Sequence, residues 1–186
     1  MVNPSTTNKK PNLHTIIALV QDNPGVLNRV VSLFRKRAFN ITSLAVGTSE
    51  APDMSRMTIV VDGDDETVEQ VTKQLYKLIE VVKVSDISTE NFVQRELALI
   101  KVHTDPNTRG QIMEIVNIFR ANIVDVSQDS LMIEVTGDYQ KVDSLYDLLK
   151  PFGVRELTRT GRIASVRGTL SMGVEIGTSS NGNKGD

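Results

Sequence analysis

The feature that most restricts the fold of this chain is an order of apolar patterns that occurs twice. From His14 to Val20 most residues are apolar and several are β-branched, which predicts a strand covered on at least one face. Leu27, Val30, Val31 and Phe34 then fall at i, i+3, i+4 and i+7, the stripe of a helix packed on a sheet, while Arg29, Arg35 and Lys36 lie off it. Ile41 to Val46 and Met57 to Val61 read as two further strands, joined as a hairpin by a long polar loop from Thr48 to Ser55. Val68, Val71, Leu75, Leu78 and Ile79 return to helical spacing, and Val81 to Ile87 closes the unit as a strand. The order βαββαβ builds an antiparallel sheet with both helices on one face, the ferredoxin-like split βαβ arrangement.

The same order then returns. A strand from Leu97 to Val102 precedes a helix with Ile112, Ile115, Val116 and Phe119. Strands follow from Ile123 to Val126 and from Leu131 to Val135, then a helix with Val142, Leu145, Leu148 and Leu149, and a strand near Val154 to Leu157. Two local echoes support a duplication. Leu33-Phe34-Arg35 leads to Asn40-Ile41 as Ile118-Phe119-Arg120 leads to Asn122-Ile123, and Val61-Asp62-Gly63-Asp64 matches Val135-Thr136-Gly137-Asp138 at the same topological point. The fold class is α+β, with two tandem ferredoxin-like βαββαβ domains over 13–90 and 91–170. The ends, 1–12 and 171–186, are expected as disordered tails. They bury too little apolar surface to offset ordering entropy, the Gly/Ser/Asn-rich stretch from Gly177 to Asp186 least of all.

Composition narrows the function. Lys and Arg number 21 against 23 Asp and Glu, a formal net charge of −2, so the electrostatic footprint of a nucleic-acid or anionic-membrane binder is missing. RNA recognition on this topology stacks bases on sheet aromatics, and aromatics are only 4% of this chain. Without cysteine there are no disulfides, thiolate metal sites or cysteine nucleophiles. No run approaches the roughly 20 apolar residues of a membrane span, and the first residues lack the apolar core of a signal peptide, so a cytoplasmic location is expected.

Catalytic signals are missing as well. His14 and His103 have no histidine or carboxylate cluster at metal-ligand spacing, and read as strand or surface histidines. The acidic run Asp62, Asp64, Asp65 and Glu66 stands at a helix start, where capping and the helix dipole explain it without a metal. No phosphate loop, nucleophile elbow or dinucleotide fingerprint is present, and no cofactor is expected in this chain.

Asp22-Asn23-Pro24-Gly25-Val26-Leu27 joins the first strand to the first helix. Asp22 or Asn23 is expected to cap the helix amides, with Pro24 where a missing N–H costs nothing. Gly25 lets a ligand approach those amides. A helix N-terminus attracts a carboxylate, and a neighbouring side-chain carboxylate or amide holds an ammonium group, which together suit a free amino acid. The same residues also describe a plain, well-capped helix start. At the end of that helix Ala38 stands where glycine would turn the chain more cheaply, and Asn40 is expected to take the left-handed conformation. In the second half, Thr104-Asp105-Pro106-Asn107-Thr108-Arg109-Gly110 lacks a glycine directly after the proline, so a small-molecule site is expected in the first half only.

The chain resembles a known family in Asp22 to Leu27, in Arg37-Ala38-Phe39-Asn40-Ile41-Thr42-Ser43-Leu44-Ala45-Val46-Gly47 and in Ser55-Arg56-Met57-Thr58-Ile59. The likeness continues in Arg95-Glu96-Leu97, Ile118-Phe119-Arg120, Ile123-Val124-Asp125-Val126 and Arg159-Thr160-Gly161-Arg162. The family is the regulatory (small) subunit of acetohydroxyacid synthase, also called acetolactate synthase, and the resemblance runs from about His14 to Gly168.

That resemblance implies an ACT domain followed by a second ferredoxin-like domain, in a homodimer without catalysis of its own. It implies a partner catalytic (large) subunit carrying thiamine diphosphate, Mg and FAD, which the small subunit stimulates in branched-chain amino-acid (valine, isoleucine, leucine) biosynthesis. It implies feedback inhibition by valine, or by leucine or isoleucine, bound between two ACT domains. The corresponding positions here are Asp22, Asn23, Pro24, Gly25, Val26 and Leu27 of one chain and Asn40 and Ile41 of the other. Amides near Gly25 and Val26 would take the carboxylate, Asp22 and Asn40 the ammonium, and Ile41 and Leu27 would wall the aliphatic side chain. Asp22 occurs where some members have asparagine, and Ala38 replaces the glycine usual before the aromatic. The alternative is another amino-acid-sensing ACT protein, such as a transcriptional regulator, for which no helix-turn-helix or basic helix is evident.

Overall fold

The protein is described by a computed structural model over residues 12–168. The expected tails, apart from Asn12, lie outside those residues. The elements are β1 (Leu13–Gln21), α1 (Val26–Lys36), β2 (Ile41–Thr48), β3 (Met54–Asp62), α2 (Asp65–Leu75) and β4 (Val81–Asp86). They continue as β5 (Phe92–His103), α3 (Arg109–Ile118), β6 (Asn122–Val126), β7 (Ser130–Gly137), α4 (Tyr139–Leu149), β8 (Val154–Arg159) and β9 (Ile163–Val166). The first sheet has the order β2-β3-β1-β4 and the second β6-β7-β5-β8, all antiparallel. This is the split βαβ arrangement twice over, as the repeated order predicts.

In the first unit Val26, Val30 and Phe34 of α1 and Val68, Val71 and Leu75 of α2 close over Ile16, Ala18, Val20, Ile59 and Val61. The second core repeats this with Ile112, Val116, Val142, Leu145 and Leu149 over Ala98, Ile100, Val102, Ile133 and Val135. The face of α1 is rotated from the expected one. Leu27 and Val31 are 44% and 40% exposed, because the helix starts at Val26 and turns that residue, not Leu27, toward the sheet. Similarly α2 stops at Leu75, leaving Ile79 exposed in the following turn, and Leu148 of α4 faces outward. The β2–β3 pairing reaches Thr48 and Ser55, so the connection is shorter than Thr48 to Ser55.

Both echoes have a physical basis, one with a shifted register. Asp64 accepts a bond from Thr67 N at 2.9 Å and Asp138 one from Lys141 N at 2.8 Å, capping α2 and α4 alike. The helix ends match as Schellman motifs. Phe39 N donates to Phe34 O and Ala38 N to Arg35 O, while Ala121 N donates to Val116 O and Arg120 N to Asn117 O. Ala38 and Arg120, with φ of 55° and 49°, take the left-handed turn, so Ala38 and not Asn40 bears it. Phe34 therefore corresponds to Val116, not Phe119, and its ring meets Phe39 edge-on at 6.0 Å, the apolar contact that accompanies this cap.

β1 is buried along nearly its whole length, whereas β5 alternates buried and half-buried residues. The cause is β9, a short strand absent from the sequence reading. It pairs with Phe92 to Arg95, the first third of β5, and this two-stranded ribbon lies on the helix-free face of the first sheet. There Ile17 and Ile87 are 2% and 1% exposed, packed against Ala164, Phe92 and Val166. Sheet one is covered on both faces, hence its continuous apolar strands; sheet two keeps one face open, hence its alternation.

Candidate functional site

The turn before α1 is built by Pro24 and Gly25. Val26 N donates to Asn23 O at 3.3 Å, and Gly25 has φ 89° and ψ −9°, so the four residues form a type II turn with proline at its second position and glycine at its third. This corrects the expected capping. No side chain caps α1: the Asn23 amide instead donates to Gln21 Oε1 at 3.0 Å, and Asp22 is tied only through its backbone N–H, which donates to Asp53 O at 2.8 Å. Pro24 serves the turn, two residues ahead of the helix. With Val26 N used in the turn, the open donors at the helix start are Leu27 and Asn28. A Cβ on Gly25 would meet nothing within 4 Å, so the approach is clear.

Asn40 and Ile41 lie beyond the other end of α1. Eleven residues at 1.5 Å rise separate the two ends by about 16 Å, so one chain does not bring the glycine turn and the Asn-Ile pair onto one small ligand. Asn40 is exposed, and Ile41 is half-buried against the first core. Leu27, expected beneath the helix, stands open beside the turn.

The equivalent turn of the second half is already filled. The Asp105 carboxylate accepts from Asn107 N at 2.7 Å and Thr108 N at 2.9 Å. Those backbone bonds, Thr108 first, hold its pKa below the usual carboxylate range. The Asp-Pro-Asn-Thr sequence carried this signal, since Asp bonds readily to backbone two and three residues on.

The histidines are not paired in a metal site. His14, 8% exposed, lies 3.7 Å from Asp65 and 3.6 Å from Asp86 through opposite ring nitrogens, and neither nitrogen has a hydrogen-bond partner. His103 Nδ1 is 2.9 Å from Asp129 O. Among the described residues no group of three or more such side chains converges on a metal position, and no helix is long and apolar enough to cross a membrane. A cleft of about 660 Å³ lies away from the turn, between β2, β3 and β9, where Arg56 pairs with Glu50.

Sequence reading missed the joint between the halves. Arg162 N donates to Ser43 Oγ at 2.9 Å, and Glu96, 5% exposed, is held by Arg159 and Arg162. Only folding brings together residues so distant in sequence; the motif Arg159 to Arg162, the strand with Ser43 and the motif with Glu96 are each visible in the sequence, their contact is not.

Two split βαβ units in tandem, the first with an open glycine turn on an uncapped helix, define a tandem ferredoxin-like α+β protein. The model of the "AHAS small subunit-like ACT domain" matches residues 16–83, and that of the "Small subunit of acetolactate synthase" matches residues 95–168. A probable acetolactate synthase small subunit of Archaeoglobus fulgidus is 63% identical over 83% of this chain and 97% of its own. The acetolactate synthase small subunit of Mycolicibacterium smegmatis is 55% identical over 86% and 94%. The crystal structure of the acetolactate synthase small subunit from Thermotoga maritima superposes with a TM-score of 0.79 at 46% identity, over 85% of this chain and 99% of that one. The chain belongs to the acetolactate synthase small-subunit family.

Proposed function

We propose that this chain is the non-catalytic regulatory subunit of a cytoplasmic acetolactate synthase, and that it senses valine or another branched-chain amino acid between two paired copies. Residues 13–90 form the effector-binding and dimerising domain in this reading, and 91–170 the domain that carries the response. Its catalytic partner would hold the thiamine diphosphate, Mg and FAD. The observation that carries the reading is the contrast between two duplicated turns: in the second the Asp105 carboxylate takes the Asn107 and Thr108 amides just ahead of α3, while in the first no side chain reaches the amides of the turn and those of Leu27 and Asn28 beside it stay open. A ligand carboxylate would accept from those amides at the positive end of α1, Asp22 of the same chain and Asn40 of the second would face its ammonium, and Leu27 and Ile41 would flank the aliphatic side chain. Because Gly25 and Asn40 sit at opposite ends of one helix, the site needs two chains.

Gly25→Asp and Gly25→Ala test this together. The positive φ makes any L-residue there cost about 1 kcal/mol, so both variants lose similar stability, a cost the open space alone does not reveal. Only the aspartate also places a carboxylate on the amides. Calorimetry should find valine bound by Gly25→Ala and not by Gly25→Asp, and sedimentation of the parent should show at least a dimer. Equal binding by both variants, or a parent monomer at micromolar concentration with and without valine, would sink the site as drawn.

A further inference from the structure

The segment Arg159-Thr160-Gly161-Arg162 and the buried Glu96 take no part in the effector turn, yet they form a tight contact between the two halves. Gly161 lies so close to β2 that a Cβ there would stand 2.0 Å from the Leu44 carbonyl oxygen and 2.9 Å from Ala45 N. One residue on, Arg162 N donates to Ser43 Oγ at 2.9 Å. The Arg162 side chain is fixed from the other side, its Nε 3.5 Å from Glu96 and its guanidinium 4.4 Å over the Tyr139 ring. Glu96 also holds Arg159, which reaches Asp143 at 2.6 Å. Burial works against the charge on Arg159, but the hydrogen bonds it donates to Glu96 and Asp143 prevail and raise its pKa above the ordinary value. A continuous chain of contacts therefore runs from Ser43 and Leu44 on β2, through Gly161 and Arg162, to Glu96 on β5 and to Tyr139 and Asp143 on α4.

We propose that this joint reports the state of the effector site to the second half of the chain. The proposal rests on the effector reading above, since β2 begins at Ile41, directly after Asn40. β2 pairs regularly with β3 from Ser43 to Thr48 and is bulged between Ile41 and Ser43, so a shift imposed at Asn40 and Ile41 re-aims the strand at that bulge and enters the ladder at Ser43 and Leu44. The absence of any space at Gly161 means that a small displacement of β2 is not absorbed but passed on, as packed interfaces do not deform continuously. Glu96 anchors Arg162 to the central strand of the second sheet, so the displacement reaches the sheet and not merely a loop. Breaking the joint separates effector binding from inhibition while leaving both partners of the coupling intact.

The test uses the full chain reconstituted with its catalytic partner. Ser43→Ala removes the acceptor of the Arg162 N–H, and Gly161→Ala drives a methyl group between β2 and the β8–β9 connection. Neither position belongs to the effector turn. Valine affinity is read by calorimetry on the free chain, stimulation by synthase activity without valine, and coupling by the activity left at saturating valine. Affinity and stimulation should stay within about threefold of the parent while inhibition weakens about fivefold or more, the lower end of usual allosteric couplings. Undiminished inhibition in Ser43→Ala overturns the proposal, also where Gly161→Ala fails to fold. Parallel loss of affinity and inhibition in both variants overturns it too, because the joint then only props up the site. A parent chain that binds no valine, leucine or isoleucine removes the effector reading itself, and the joint's role with it.

Discussion

Ala38 carries a backbone conformation in which its methyl group crowds the chain, with φ at 55°, and the surrounding helix cap nevertheless imposes it through two backbone bonds and the Phe34–Phe39 contact. Glycine adopts that region without steric cost, and the gain exceeds what glycine loses in the unfolded chain. Ala38→Gly should therefore stabilise the protein by about 1 kcal/mol, raising the melting temperature by roughly 2–4 °C in calorimetry. Unchanged or lowered melting would mean that Ala38 is relaxed where it stands. The position was recognisable in sequence as one that favours glycine, but the choice between Ala38 and Asn40 was not, because the cap is counted from the last helical turn and the helix end is blurred at that resolution of reading.

Among elements, the helices and central strands were legible because burial follows their periodicity: Val68, Val71 and Leu75, or Ile112 and Val116, sit where the pattern puts them. α1 was misread by one position, since Leu27 and Val31 are as apolar as Val26 and Val30 and a stripe in sequence does not say which edge of it is covered. β9 was missed because four residues, Ile163 to Val166, form a strand only by pairing with Phe92 to Arg95 far earlier in the chain. The candidate site was legible as a turn and as a family motif, but not in its capping, which a type II turn replaced. The start of α3 gives a check by pH. The Asp105 carboxylate has a lowered pKa, so its contribution is present above the ordinary carboxylate pKa and is lost as pH falls through the lowered one. Asp105→Ala should melt below the parent at neutral pH, and the gap should close in acid; a gap independent of pH would assign the effect to packing.

For the whole molecule, the ribbon of β5 and β9 makes the two halves mutually dependent. Ile17 and Ile87 are nearly inaccessible only because Phe92, Ala164 and Val166 cover them. Full burial of an isoleucine is worth about 1.5–3 kcal/mol, so uncovering two is a large fraction of the stability of a small domain. A chain ending at Asn91 keeps the whole glycine turn, and the sequence alone suggests that it would fold, dimerise and bind effector. The structure predicts instead that it melts lower than the full chain and exposes apolar surface, which light scattering and dye binding would report. A cut chain as stable and as soluble as the parent would show that the ribbon is dispensable.

That ribbon also sets an order of events at the ribosome. The first sheet can pair its own strands once Asp86 has emerged, but the strand that completes its cover ends at Val166, 80 residues later. At usual rates of synthesis the N-terminal half therefore waits for roughly 4–16 s with Ile17 and Ile87 bare to solvent. During that interval the nascent chain offers a flat, β-rich, apolar surface to whatever is nearby, whether a chaperone or a neighbouring copy on the same messenger.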